Sequence, residues 1–155
     1  MYEGALRESL LLLKRQPYLP QHVRDLLFAA VMRQPLNAST RVVPVPLHPK
    51  RLKTRGFNQA SIVAQAVSKA FGLPVDQVSV VRVSTTEKYR AGLDRKGRRD
   101  TVAGAFEVAH PRLVMNENIL LVDDVFTTGA TVSECAQALL TAGASAVNVI
   151  TVARA

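Results

Sequence analysis

Hydrophobic positions along the chain change period several times, from helical spacing to buried-strand spacing and back. Between residues 3 and 15, Leu6, Leu10 and Leu13 fall on one helical face, and Pro17 and Pro20 close the segment. A second helix is expected over 21–33, ended by Pro35. Val42 to Val45 is a β-branched run punctuated by Pro44 and Pro46, the mark of a strand passing into a loop. Pro46 to Gly56 reads as a basic loop. From Asn58 onward, Ala60, Val63, Ala64, Val67 and Phe71 return at helical spacing, and Gly72 and Pro74 stop the pattern. Strands are expected at Val78 to Val83 and Ala105 to Val108. Ile119 to Val122 is an unbroken apolar run, as in a strand covered on both faces. Val132, Cys135, Ala136, Leu139 and Leu140 then form a helical stripe with Gly143 as its cap, and Val147 to Val152 is a final buried strand. This alternation predicts one α/β domain over 1–155, with a mostly parallel sheet flanked by helices.

Size and composition narrow the class. A chain of 155 residues buries about two-thirds of its unfolded surface, enough for a real core. No apolar run approaches the ~20 residues of a membrane-spanning helix. Acids sit among the N-terminal basic residues, and no small-residue cleavage site follows them, so no signal peptide is read. A single cysteine excludes an internal disulfide and a cysteine-cluster zinc site. A cytoplasmic location is the expectation. Net charge is +8 and unevenly spread. Lys50, Arg51, Lys53 and Arg55 form one cluster; Arg82, Lys88, Arg90, Arg95, Lys96, Arg98 and Arg99 form another. Together these are more than half of the 20 basic residues. Local positive fields of this kind recruit polyphosphates or nucleic acid. The competing reading is a solvated surface that keeps the chain soluble.

Candidate chemistry concentrates at the end of the apolar run. Asp123 and Asp124 fall at the carboxyl end of the 119–122 strand, where open α/β sheets bind ligands. Alternation along a strand makes the two carboxylates diverge, unless the chain turns. Thr127, Thr128, Gly129, Ala130 and Thr131 follow, and a helix begins. Unpaired N–H groups at a helix start bind phosphate, threonine hydroxyls add donors, and Gly129 permits close approach. Capping alone would account for one threonine but not for three with a glycine. Two carboxylates beside a phosphate nest suit a phosphorylated sugar with free ring hydroxyls. Magnesium is the hard cation that matches such oxygens, with Asp123 and Asp124 as its candidate ligands.

The thirteen residues 119–131, Ile-Leu-Leu-Val-Asp-Asp-Val-Phe-Thr-Thr-Gly-Ala-Thr, resemble the phosphoribosyl pyrophosphate (PRPP) signature of the type I phosphoribosyltransferases. Phe126 departs from that pattern, where a smaller residue is usual. Val43-Pro-Val-Pro-Leu-His48 and Arg55-Gly-Phe-Asn-Gln-Ala60, with Leu93, Arg98, Val102, Gly104, Ala105 and Phe106, are similar to the ComF/GntX family. These are phosphoribosyltransferase-like proteins linked to DNA uptake in competent bacteria. The family also commonly carries an N-terminal cysteine-rich zinc-binding segment that is missing here, so a short or truncated member is expected. Thr101 stands where the family tends to have asparagine.

The resemblance implies PRPP as ligand, with Mg2+, on Asp123, Asp124, Thr127, Thr128, Gly129, Ala130 and Thr131. It implies a pyrophosphate loop over 47–56 containing Leu47, His48, Arg51, Lys53, Arg55 and Gly56. Arg55 is favoured there because guanidinium binds phosphate in two-pronged fashion. His48 is either a phosphate contact or a structural residue. Residues 84–101 correspond to the loop that closes over the ligand in the enzymes. In it, Tyr89 is a base-stacking candidate, and Lys88, Arg90 and Arg95 suit either PRPP or a DNA strand. Cys135 is expected in the core, and no residue identifies an acceptor nucleophile. Two functions are therefore expected: a phosphoribosyltransferase domain in competence, or a non-catalytic module of the same fold that contacts single-stranded DNA or a competence helicase.

Overall fold

A computed structural model describes residues 2–83 and 104–154, the side chains of residues 2–7 aside. Its centre is a parallel sheet in the order β1 (Arg41–Pro44), β4 (Asn118–Phe126), β5 (Ala146–Arg154). Val43 lies beside Leu121, which lies beside Val149. Val75 extends the far edge through a parallel bridge to Val42. Strands β2 (Val80–Arg82) and β3 (Phe106–Val108) form a separate antiparallel pair.

Alternation along the strands divides the core in two. Val43, Ile119 and Leu121 face Val132, Cys135 and Leu139 of helix α5 (Ala130–Thr141), with Val80 and Phe106 of the antiparallel pair. Val42, Leu120 and Val122 face the other way. There they meet Val63, Ala64 and Val67 of α4 (Gln59–Phe71), Val23, Leu27 and Val31 of α2 (Gln21–Val31) and Leu13 of α1 (Tyr2–Arg15). Each residue from Ile119 to Val122 is 0% exposed, so β4 is covered on both faces. The fold is the expected α/β class, and β4 is its spine.

Four details differ from the sequence reading. The basic loop contains a helix, α3 (Pro49–Arg55). Pro49 sits in its first turn, the His48 imidazole accepts from Lys50 N–H at 3.2 Å, and Gly56 closes it at φ 81°. Strand β4 continues past Val122 to Phe126 because β5 runs alongside it, pairing Asp123 with Thr151 and Phe126 with Arg154. Strand β5 is only half-covered, with Ile150 its buried residue, because it ends the sheet order among the described strands. Leu140, placed on the α5 stripe, is 44% exposed, since Val132, Cys135 and Leu139 already fill the buried face.

Candidate functional site

Three segments meet at the carboxyl end of β4 around a cavity of about 540 Å3. Asp123, Asp124 and Val125 form its floor; Thr127 and Thr131 line one side; Val45, Pro46, Leu47, Arg51 and Arg55 line another. Strand alternation sends Asp123 toward the α5 face and Asp124 toward the α4 face, yet the cavity spans the sheet end and receives both. Their backbone partners are local. Asp123 Oδ1 accepts from the Asp124 N–H and Asp124 Oδ1 from the Val125 N–H, each at 2.9 Å.

Burial pushes the Asp123 carboxyl up to about 7; the neighbouring charge of Asp124 adds to the shift, while the Asp124 N–H and Arg82 oppose it. Burial and the like charge of Asp124 favour its neutral form, and a bound cation would oppose that shift. Among the described residues no group of three or more His, Cys, Asp or Glu could hold a metal. Two carboxylates nevertheless suit Mg2+, which keeps several waters and takes phosphate or hydroxyl oxygens from a ligand. Cys135, buried beneath Asp123, has its thiol pushed up to about 12 and stays a core residue.

The threonine turn is shaped by a contact that the sequence reading did not foresee. Gly129 adopts φ 77° and is the N-cap of α5, without a side-chain cap. A Cβ built there would lie 2.6 Å from Cζ of Phe126. The Phe126 ring thus covers the glycine, and the Arg154 guanidinium stands 5.5 Å above the ring centroid. The larger residue at 126 is accommodated because nothing projects from 129. Thr128, Gly129 and Ala130 make the turn itself, with Ala130 N–H weakly donating to Thr128 Oγ1 at 3.4 Å.

On the opposite wall the α3 segment divides its roles. Leu47, Arg51 and Arg55 reach the cavity, whereas His48 and Gly56 cap the helix and Lys53 is exposed. Arg55 Nη1 donates to Gln59 Oε1 at 3.3 Å. Asn58 ties the segment to the sheet: its amide donates to the Val45 carbonyl at 2.9 Å while its oxygen caps α4 through Ala60 N–H. Lys14, Asn58, Gln59 and Arg82 also line the cavity and were not singled out as site residues. Asn58 was legible as the start of a helical stripe and Arg82 as part of a basic cluster; Lys14 carried no local signal. Arg82 also packs 5.3 Å over the Phe106 ring and reaches a second cavity of about 420 Å3 behind α3. Lys88, Tyr89, Arg90 and Arg95 lie outside the described residues.

The fold is that of the phosphoribosyltransferases. The solved glutamine PRPP amidotransferase of B. subtilis superposes with a TM-score of 0.55 at 18% identity, over 84% of this chain and 26% of that one. The purine phosphoribosyltransferase of Pyrococcus horikoshii gives 0.52 at 14% identity, over 86% and 70%. No family model matches the chain. Curated relatives are more specific. The DNA utilization protein YhgH of Escherichia coli is 38% identical over 114 residues, 74% of this chain and 49% of the relative. Competence protein F of Haemophilus influenzae is 36% identical over 124 residues, 77% and 52%. Competence protein ComFC of Bacillus subtilis is 32% identical over 105 residues, 68% and 40%. This is a ComF-like chain with a type I phosphoribosyltransferase fold, and it spans about half the length of the curated relatives it matches.

Proposed function

We propose that this chain binds PRPP together with Mg2+ and serves the handling of incoming DNA in competence. The observation that carries the ligand is one cavity bringing Asp123 and Asp124, Thr127 and Thr131, and Arg51 and Arg55 together. In this reading the two carboxylates take the ribose hydroxyls, and the 127–131 turn holds the 5-phosphate through N–H groups at the start of α5. Arg51 and Arg55 hold the diphosphate, where fixed cations offset the charge that grows on a departing pyrophosphate. Bound Mg2+ would neutralise that charge further. The process is suggested by the relatives' names, DNA utilization protein and competence protein. Titration calorimetry tests the ligand: PRPP should bind with Mg2+, weakly without it, and at least tenfold more weakly to Asp124→Asn. Equal affinity in that variant removes the carboxylate role.

A second reading, a nucleic-acid module of the same fold, is favoured by the exposed cations of α3, Lys50, Lys53 and Arg55, on a chain of net charge +8. Oligonucleotide affinity should then fall steeply with added salt. A flat response dismisses α3 as a footprint.

A further inference from the structure

Gln59 is an uncharged polar residue in the first turn of α4, only 2% exposed, and it lines the same cavity as the two aspartates. Its amide has a fixed sense. Arginine only donates, so the atom facing Arg55 Nη1 at 3.3 Å must be the carbonyl Oε1. The NH2 group is thereby turned away from Arg55, and Nε2 is buried without a hydrogen-bond partner among the described residues. Buried donors in native proteins are normally satisfied. Gln59 is one of the residues that line the cleft, and an oxygen of a bound ligand would supply the partner that its amide lacks.

We propose that Gln59 contacts the ligand directly. Its Nε2–H2 donates to an oxygen of the anionic group held by Arg55, while Oε1 keeps the guanidinium aimed at the same group. The pair forms a two-donor clamp, one arm cationic and one neutral, built for a diphosphate or comparable oxyanion. This rests on the PRPP reading for the ligand's identity but not for its chemical class.

The test uses the whole chain, PRPP with MgCl2, and inorganic pyrophosphate as a separate probe. Gln59→Met removes both arms of the amide; Gln59→Glu keeps the Oε1 anchor on Arg55 and replaces the donor with an acceptor. Both variants should lose affinity for pyrophosphate by about tenfold to a hundredfold, the range of a hydrogen bond to a charged group. In the wild type, adding pyrophosphate should shift the 15N side-chain amide resonance of Gln59. Pyrophosphate affinity of Gln59→Glu within twofold of wild type, or an amide resonance that does not move at saturation, overturns the contact. Should Gln59→Met fail to fold, the Glu variant and the resonance still decide. Binding of pyrophosphate that depends on Gln59, without binding of PRPP, upholds the clamp and sinks the phosphoribosyl reading. Binding of neither sinks both.

Discussion

Asp123→Asn should make the empty protein more stable, and the gain should grow with pH. The wild-type carboxyl is driven from its ordinary 3.8 up to about 7, first by burial and then by the charge of Asp124. The folded chain therefore holds a proton between those values that the unfolded chain has already lost. Stability must fall as pH rises through that window, and the loss is complete above pH 7. At ~1.4 kcal/mol for each pH unit, the ceiling is about 4 kcal/mol. The open cleft and the sharing of charge with Asp124 reduce it, so about 2 kcal/mol is the expected gain at pH 8. Asparagine keeps the oxygen that accepts from Asp124 N–H, so the turn itself is not disturbed. Urea denaturation of both proteins at pH 4, 6 and 8 reads the effect. The two curves should nearly coincide at pH 4 and separate progressively above it. Equal pH dependence in the two proteins, or an Asn variant less stable at pH 8, refutes the claim that this carboxylate is held at a cost. The same substitution should weaken PRPP·Mg2+ binding, so stability and ligand affinity move in opposite directions.

Gly129→Ala should cost about 2–3 kcal/mol, about half from the left-handed backbone and the rest from the Phe126 ring. Adding Phe126→Leu should recover the second part and leave the first; no recovery in denaturation experiments would discount the ring contact. Asn58→Ala removes both the α4 cap and the tie to Val45, and is expected to lower stability by about 1–2 kcal/mol and PRPP affinity with it. Leu120→Ala, at a fully covered position of β4, should cost about 3–4 kcal/mol by urea denaturation without altering the pH dependence assigned to Asp123.

Much of this molecule could be read from the chain because its strongest patterns are local. Ile119 to Val122 admits one interpretation, and the α4 stripe with Asn58 before it and Gly72 after it is bounded by its own caps. Helix α3 was hidden because its starting signal is His48, a rare cap, and its seven residues are too polar to show a period. The length of β4 was hidden for a different reason. Two acids end an apolar run on paper, but pairing with β5 carries the strand through them to Phe126. Within the site, residues that belong to compact motifs, 123–131 and 47–56, were found, and isolated contributors were not. Asp123 to Thr131 announces itself as a block, whereas Lys14 joins it through tertiary packing, which leaves no local trace; Arg82 shows in the sequence only as one charge of a basic cluster, and Gln59 only inside the Arg55–Ala60 motif.

Because the cleft draws Lys14 from the first helix, Val45 to Gln59 from the crossover after β1, Arg82 from the antiparallel pair and Asp123 to Thr131 from the spine, it has no local precursor. Every loop between these contributors must close before any two of them can cooperate on a small molecule. Occupancy is therefore a reporter of global integrity. A ligand captured here would slow whole-chain opening instead of damping one segment, and its protection would reach amides as remote as the α2 face, roughly in proportion to RT ln(1 + [L]/Kd).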